Sequence, residues 1–475
     1  MEFKLTYKLH KIIKIIIWVI YFFFLAYMID KKNNFEIIRG VLLSSVLIQM
    51  TLISFVDNWF KFKRPTLLDW FRLTTFFVII LNYFNLINDN RLNDLKGFPG
   101  YFIPVNLIIP SLFVVFIGLL GLKTGELLYL NFYKNRKLLK TTIEYKLRNP
   151  FLFYIISLIV GVVQIYLMMK GEVGYGTFQE NTTSNLSFLF QILGILSVLI
   201  LSIFSIIKYV YRNNDNQFNF FFILFFILQL SYGFLSGMKE SIISPIIIVL
   251  IPYIIGGHKI SNKFVFILVI GLLLTYPFSN NYRDVLNAHP KIDKTVAIGI
   301  AYVKTSELNF TDNIGEGSDN FSDRLSLFPF LVYAVENEAT WTYYKNLDRY
   351  IYLPIAWIVP RFLIPEKPIS EIGAKLNEKI YDVETNSLTP TTYGWAYFEG
   401  GYFYVFAVFF IFGLFISYFQ YKLALNNFFG ILLYSAIIIK LLKVEEDIYF
   451  LISGILQMIL IYFIFLFIFI KNKIE

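Results

Sequence analysis

The sequence contains no cysteine and little charge. None of its 475 residues is Cys, so it can form neither a disulfide framework nor a thiolate metal site. Only 16% are Asp, Glu, Lys or Arg, and its three histidines, His10, His258 and His289, are scattered along the chain. The short motifs of P-loop, Rossmann, zincin and hydrolase-fold enzymes are also missing. ATP-driven, zincin and hydrolase-fold functions therefore lose support, and no cofactor or metal is expected.

Apolar residues dominate what is present. Hydrophobic residues make up 57% of the chain and aromatic residues 19%, with a mean hydropathy of +0.62. A water-soluble globule of this size cannot hide so much apolar surface, which indicates an integral membrane protein. The formal net charge of +9 is common in membrane proteins with basic cytoplasmic loops, so it does not indicate a nucleic-acid partner.

Long apolar runs alternate with short polar connections, and each run is near the roughly 20 residues that cross a bilayer. The lysines before the first run and the missing cleavage site indicate an uncleaved signal anchor. Hydropathy predicts an all-α polytopic protein of about twelve transmembrane helices, with spans near 12–29, 37–56, 67–88, 102–122, 151–169, 185–208, 217–236, 242–256, 263–279, 398–420, 427–443 and 447–470.

Basic residues set the expected orientation. Lys and Arg concentrate before the first span and in alternate loops, above all in 123–150, which predicts that both termini are cytoplasmic. The chain then divides into an N-terminal transmembrane bundle (1–279), a large external loop (280–397) and a C-terminal transmembrane bundle (398–475).

The large loop has the composition of folded structure. It contains several tryptophans and an apolar segment, Tyr350 to Ile364, interrupted by Pro354 and Pro360. Disordered segments are poor in aromatics, and this run is too short and too broken to span. We therefore expect short interfacial or re-entrant helices in the loop.

Arginines in this loop are candidate ligands for an anionic headgroup. Arg283 follows the ninth span, Arg324 and Arg349 lie further on, and Arg361 stands between prolines in the apolar segment. The planar guanidinium suits bidentate binding of phosphate or carboxylate. Each arginine could equally pair with a local acid or with bulk lipid phosphate.

Two further clusters carry carboxylates. Lys239 and Glu240 lie on a tight turn between the seventh and eighth spans, where they could face a phosphate and a sugar hydroxyl or form only a solvated pair. Glu399 precedes Gly400 and Gly401 at the start of the tenth span, either as a general base or as a helix cap. Polar residues within the spans, such as Asp69 and Arg72, do not form the acid and histidine chains of a proton-driven pump.

These features together resemble the oligosaccharide repeat-unit polymerases, the O-antigen polymerase or Wzy family. The resemblance covers nearly the whole chain: twelve spans, one large late external loop, and a set of short motifs. The motifs are Ser236-Gly-Met-Lys-Glu240, Tyr282-Arg283, Pro360-Arg361 through Glu366-Lys367-Pro368, and Tyr397-Phe-Glu-Gly-Gly401.

The resemblance implies a metal- and nucleotide-independent glycosyltransferase of the bacterial plasma membrane. On the external face it would extend a surface polysaccharide from undecaprenyl-pyrophosphate-linked oligosaccharide. Its other partners would be membrane lipids and a chain-length regulator. Fixed positive charge would hold the leaving pyrophosphate and a base would assist the incoming hydroxyl. The implied substrate-binding residues are Arg283, Arg324, Lys239, Arg361, Lys367 and Tyr397, and the implied catalytic residues are Glu399, Glu240 and Arg361.

The match departs from the family in one motif. Some members carry paired loops with arginine and glycine at a fixed spacing, whereas Arg361 and Gly373 stand one residue too far apart. Related O-antigen ligases use a histidine in the large loop, and His289 is present there, so a ligase remains an alternative. A transporter of lipid-linked oligosaccharide is another alternative. A transporter should have polar residues reaching both faces, whereas this chain concentrates its polar, proline-rich segments on one face.

Overall fold

The structure is a computed structural model of the protein. It covers residues 2–31, 34–62, 65–88, 96–98, 101–133, 144–170, 185–259, 261–289, 292–307, 312–313, 315, 317–318, 326–337, 372–381, 388–422 and 427–473. Arg324, Arg349, Arg361, Lys367 and the segment 350–364 lie outside the described residues.

The described chain is almost entirely helical. Its principal helices are α1 (Glu2–Lys31), α2 (Phe35–Ile48), α3 (Ser54–Phe62), α4 (Leu67–Thr75), α5 (Asn82–Asn88), α6 (Ile108–Tyr133), α7 (Pro150–Met169), α8 (Asn185–Tyr209), α9 (Asn216–Ser236), α10 (Lys239–Ile255), α11 (Asn262–Ala288), α12 (Lys294–Glu307), α13 (Phe328–Glu336), α14 (Ile372–Tyr381), α15 (Thr391–Lys422), α16 (Phe428–Leu441) and α17 (Ile448–Phe469). The π-helical segments Gln49–Ile53 and Phe76–Leu81 join α2 to α3 and α4 to α5, and the 3-10 turn Val105–Leu107 precedes α6.

Length and composition make this an all-α polytopic membrane protein. Within the described residues, nine helical stretches are long and apolar enough to cross a bilayer. They coincide with nine of the twelve spans predicted by hydropathy. The predicted spans at 242–256 and 427–443 correspond to shorter apolar helices, α10 and α16, and 263–279 lies within α11.

Polar residues start several helices at the expected places. Thr66 and Asp69 form a reciprocal capping box on α4, in which the Thr66 hydroxyl accepts from the Asp69 amide (3.2 Å) and Asp69 accepts from the Thr66 amide (2.8 Å). The side chains of Asn149, Asp215 and Asp447 accept hydrogen bonds from the first turns of α7, α9 and α17. Each cap satisfies an amide that the helix itself leaves without a partner.

Two short β-ladders accompany the helices. β1 (Lys96–Phe98) pairs with β2 (Tyr101–Phe102), and β3 (Glu144–Leu147) pairs with β4 (Ile470–Lys473), both antiparallel. Hydropathy gives no signal for such short strands. The second ladder fixes the segment after α6 and the end of α17 on one side of the bundle, which we call the terminal face.

Contacts between helix ends define the two faces. On the terminal face, Asp57 of α3 lies 2.7 Å from His10 of α1, and the Leu67 amide at the start of α4 donates to Gln420 near the end of α15 (2.6 Å). We call the opposite side the far face. There, Tyr101 donates to Glu336 at the end of α13 (2.7 Å).

Glycine permits one very close helix contact. A Cβ on Gly121 or Gly125 of α6 would lie within 2.5 Å of backbone oxygens of α15, and one on Gly413 of α15 would meet the Leu122 carbonyl of α6. Small residues that let helix backbones approach are typical of transmembrane packing. The α6–α15 pair therefore holds the fold around the candidate site.

Helix α15 folds back on itself near its start. Gly400 and Gly401 leave helical geometry, and Gly401 has a φ of 65°. The rings of Tyr393 and Phe409 stack with centroids 4.6 Å apart, and those of Tyr397 and Tyr402 meet edge to face at 5.1 Å. These pairs show that residues 391–399, the folded-back segment, run antiparallel to the following helix.

Hydropathy predicted the tenth span from residue 398, yet the helix begins at Thr391. The threonines and glycines at its start lower the hydropathy of the folded-back segment, which hides it from a hydropathy window. α13 and α14 cover this segment, because Ala334 and Leu376 pack with its Trp395 and Phe398.

Helices α10 and α16 are short antiparallel neighbours, and α10 ends at the terminal face where α16 begins. Near that face, His258, just after α10, contacts the Tyr209 carbonyl at the end of α8 (3.1 Å), and Phe428 of α16 stacks on Tyr211. At 1.5 Å per residue, their 17 and 14 residues cover about 25 and 20 Å of a hydrocarbon layer of about 30 Å. Both helices are therefore about 5–10 Å shorter than such a layer.

Candidate functional site

The α9–α10 turn holds the first predicted site residue, Arg283. Gly237 ends α9 with a φ of 64°, a conformation that glycine adopts without strain. Its carbonyl accepts hydrogen bonds from Arg283 Nε (2.8 Å) and from the Ser279 hydroxyl (3.0 Å) of α11. A cation is favoured at a helix C-terminus, so this contact fixes a positive charge at the far end of α9.

Glu240 reaches across to the neighbouring short helix. Its carboxylate lies 2.8 Å from the Lys443 ammonium, just beyond the end of α16. The Glu240 side chain is 58% exposed and that of Lys443 is 31% exposed. The structure therefore brings a predicted site carboxylate beside a lysine that the sequence motifs did not include. Lys239 is the first residue of α10, and its side chain lies outside the description.

The folded-back segment closes over the turn between α16 and α17. The Thr392 amide donates to the Val444 carbonyl (2.7 Å), and its hydroxyl donates to the Glu446 carbonyl (2.7 Å). Thr389 donates to the Glu445 carbonyl. Thr391 has a φ of 72°, which is costly for a residue with a branched side chain and is typical of functional sites.

Two charged groups at this turn lack close partners. Among the described residues, the half-buried Lys440 ammonium makes no hydrogen bond or ion pair, and Glu446 Oε2 is buried without a donor. The charged groups around Lys440 are Glu446, Lys443 and Glu240. We call residues 236–240, Arg283, 389–392 and 440–447 the tip cluster, because they meet at the tips of α10 and α16.

The other predicted site residues lie elsewhere or outside the description. Glu399 and Tyr397 are buried at the other end of the folded-back segment from Thr391, about 12 Å away along a helix of this length. Arg324, Arg361 and Lys367 lie outside the described residues.

Sequence reasoning missed Lys440, Lys443 and Glu446 as site residues. The signal was the run Lys440-Leu-Leu-Lys-Val-Glu-Glu-Asp447, which places five charges between two apolar helices. Charged residues so close to a span carry a free-energy cost and are often functional, so this run is a site signal of the same kind as the loop arginines.

An apolar cavity that is widely open to its surroundings lies near Arg283. Its volume is about 570 Å³, and it is lined by Phe234, Phe278, Thr295, Ile298, Gly299 and Tyr302 from α9, α11 and α12. Phe278 stacks on Tyr282, the residue before Arg283. In the residue before Thr295, burial lowers the pKa of Lys294, whose ammonium lies 3.8 Å from the Met168 sulfur. The site thus combines fixed charge with an adjoining apolar cavity.

A second buried charged group lies toward the terminal face, and it is fully paired. Arg72 donates to Asp69 Oδ1 (2.9 Å) and to Glu126 Oε2 (2.7 Å), and all three residues are nearly inaccessible. Lys123 also donates to Glu126 (3.0 Å), and Asn58 donates to both oxygens of Asp69. Within the described part of the chain, no group of acids and histidines has the arrangement of a metal site.

Comparisons with family models, characterised proteins and solved structures gave no match to this chain. The class of an all-α polytopic membrane protein therefore comes from its own helices.

Proposed function

We propose that the protein is a polymerase that joins undecaprenyl-pyrophosphate-linked oligosaccharide repeat units into a bacterial surface polysaccharide. In this proposal the chain crosses the plasma membrane twelve times, with both termini cytoplasmic. The far face is the external face, and residues 280–397 form the large external loop over the tip cluster.

The observation that carries the proposal is the pairing of charge with an apolar cavity. Arg283 and Lys443 lie at helix ends near the far face, and the cavity lined by Phe234 and Phe278 adjoins Arg283. A lipid-linked glycan has the same two parts, a charged diphosphate and a long apolar chain. Fixed cations near the boundary suit the first part and the cavity suits the second.

The reaction needs no group beyond those that the chain can supply. The acceptor hydroxyl attacks the anomeric carbon of the growing glycan as the bond to the diphosphate oxygen breaks. The hydroxyl proton passes to a carboxylate, for which Glu240 and Glu399 are the sequence candidates, and the departing diphosphate is neutralised by cations. In this proposal Arg283, Lys443, Arg324, Arg361 and Lys367 take the second role.

The test replaces Arg283 by alanine in cells that make the polysaccharide. Arg283→Ala should shift surface glycan from long chains to single repeat units while the protein remains folded in the membrane. Arg39→Ala is the matched control, because Arg39 is an exposed arginine paired with Glu36 on α2. Long chains in both variants would contradict the site.

The same glycan pattern separates the alternative functions. Loss of a polymerase leaves single repeats attached to their normal acceptor, whereas loss of a ligase leaves polymer on its lipid carrier. Loss of a transporter leaves no repeat unit at the surface. His289→Ala tests the ligase directly, since this exposed histidine follows α11 and is the one that the ligase reading requires.

A further inference from the structure

Lys440 and Glu446 have polar atoms whose bonding capacity the described residues leave unused. Lys440 lies in the last turn of α16, and its side chain extends toward α17, where a Cβ on Gly454 would stand 3.2 Å from Nζ. Glu446 Oε2 is sealed from solvent without a donor. Buried polar groups are nearly always hydrogen-bonded, so each such atom calls for an explanation.

The favourable effect of the α16 dipole does not by itself explain why the Lys440 ammonium is half-buried. A lysine in the last turn is stabilised by the helix dipole wherever its ammonium stays in water. The Lys440 ammonium is instead held in a half-buried position beside Gly454, with Lys443 as a second cation nearby. Lys443 already pairs with Glu240, which leaves the Lys440 charge for another anion.

Rigid surroundings hold the two groups near each other. Glu446 is fixed through its carbonyl by the Thr392 hydroxyl, and the strained Thr391 starts the segment that closes over it. Both side chains are partly exposed, and Glu446 Oε2 is a buried atom. Together the two groups offer one ammonium donor and one carboxylate acceptor to the same molecule.

We propose that Lys440 and Glu446 form a binding subsite for a phosphorylated sugar. The Lys440 ammonium binds the phosphate group, and the Glu446 carboxylate accepts a hydrogen bond from a sugar hydroxyl. This inference rests on the proposed function for its biological ligand, the sugar nearest the diphosphate. The binding chemistry itself is testable with soluble compounds.

The probe is glucose 1-phosphate, added to the purified full-length protein in lipid nanodiscs. Its binding is measured by the protection of Lys440 from an amine-acylating reagent, read by mass spectrometry, and by ligand-induced thermal stabilisation. Inorganic phosphate and glucose are the comparison ligands. Glucose 1-phosphate should protect Lys440 more strongly than either part alone.

Substitutions then assign each contact. Thermal stabilisation should show glucose 1-phosphate binding about tenfold more weakly, or worse, to Lys440→Met, because a charged hydrogen bond is removed. Glu446→Gln should keep phosphate binding but lose the preference for the sugar phosphate. Lys304→Met, which removes an exposed lysine on α12, should bind as the parent protein does.

Two glycine substitutions provide a steric test that leaves every charge in place. Gly454→Ala pushes on the Lys440 ammonium and should weaken binding less than Lys440→Met does. Gly194→Ala is the control, since a Cβ at that helical glycine has no neighbour within 4 Å.

Unchanged binding in Lys440→Met would overturn the subsite, and equal protection by inorganic phosphate and glucose 1-phosphate would remove the role of Glu446. If the protein binds glucose 1-phosphate through Lys440 while Arg283→Ala still makes long polymer, the subsite stands. The site assigned to the polymerase would then be wrong.

Discussion

Two charged groups in the described bundle, one buried and one half-buried, differ in how their charges are satisfied. Toward the terminal face, Arg72 lies between Asp69 and Glu126, and every ionic contact there is shorter than 3.1 Å. At the tip cluster, Lys440 and Glu446 Oε2 have no such partners among the described residues. The first group has the closed pattern of a structural network, and the second has the open pattern of a binding site.

The difference follows from where the helices end. Arg72 and Glu126 lie on α4 and α6, helical stretches that each continue through the bundle and can align their side chains. Lys440 and Glu446 lie where the 14-residue helix α16 ends and the chain turns toward α17, which leaves backbone groups without helical partners. Among the described residues, the folded-back segment bonds to the carbonyls of that turn.

The largest expected effect comes from opening the closed network. Arg72→Ala leaves Asp69 and Glu126 buried without their cation, and the predicted loss of stability is about 3–5 kcal/mol. Thermal unfolding of the purified protein in detergent, together with the folded yield, measures it. Lys123→Ala is the control within the same network, because the Lys123 side chain is 43% exposed and should contribute less than about 1 kcal/mol. Equal losses in both variants would contradict a closed network.

A smaller effect is expected where the folded-back segment meets the tip cluster. Thr392→Val keeps the side-chain shape but removes the hydroxyl that donates to the Glu446 carbonyl, and should cost about 1 kcal/mol. Chain length should fall as well, since the covering segment loosens. Thr74→Val on α4 removes a hydroxyl that bonds within its own helix, to Trp70, and is the control. A stability loss without any change in chain length would separate the segment from the site.

Breaking the exposed ion pair should have a smaller effect still. Glu240→Gln removes the charge that faces Lys443, and because Glu240 is more than half exposed the loss should stay below about 1 kcal/mol. Activity, read as glycan chain length, should fall much more if Glu240 is the base. Glu36→Gln breaks the exposed pair with Arg39 and provides the control. Normal chains in Glu240→Gln would leave Glu399 as the remaining sequence candidate.

The sequence predicted the helices far better than it predicted the site. Apolar runs located the nine helical stretches that are long and apolar enough to cross a membrane, because hydropathy reads a local property, and helices also occur at the other three predicted positions. The Glu240–Lys443 pair and the cover that Thr392 provides join residues far apart in the chain, and no periodicity shows such contacts. The fold-back at Gly400 and Gly401 was also hidden, because paired glycines indicate freedom of the backbone but not its direction.

Removing the Lys440 charge should not lower the stability of the protein, in contrast to Arg72→Ala. Lys440→Met keeps an apolar stem of similar length and removes a half-buried charge that has no close partner, so the unfolding temperature should stay the same or rise. The attraction of Glu446 and Glu240 is lost, but so is the repulsion from Lys443. The same thermal measurement as for Arg72→Ala tests it. A fall in unfolding temperature as large as that of Arg72→Ala would show that Lys440 is a structural cation and that the charges of both groups are paired within the fold.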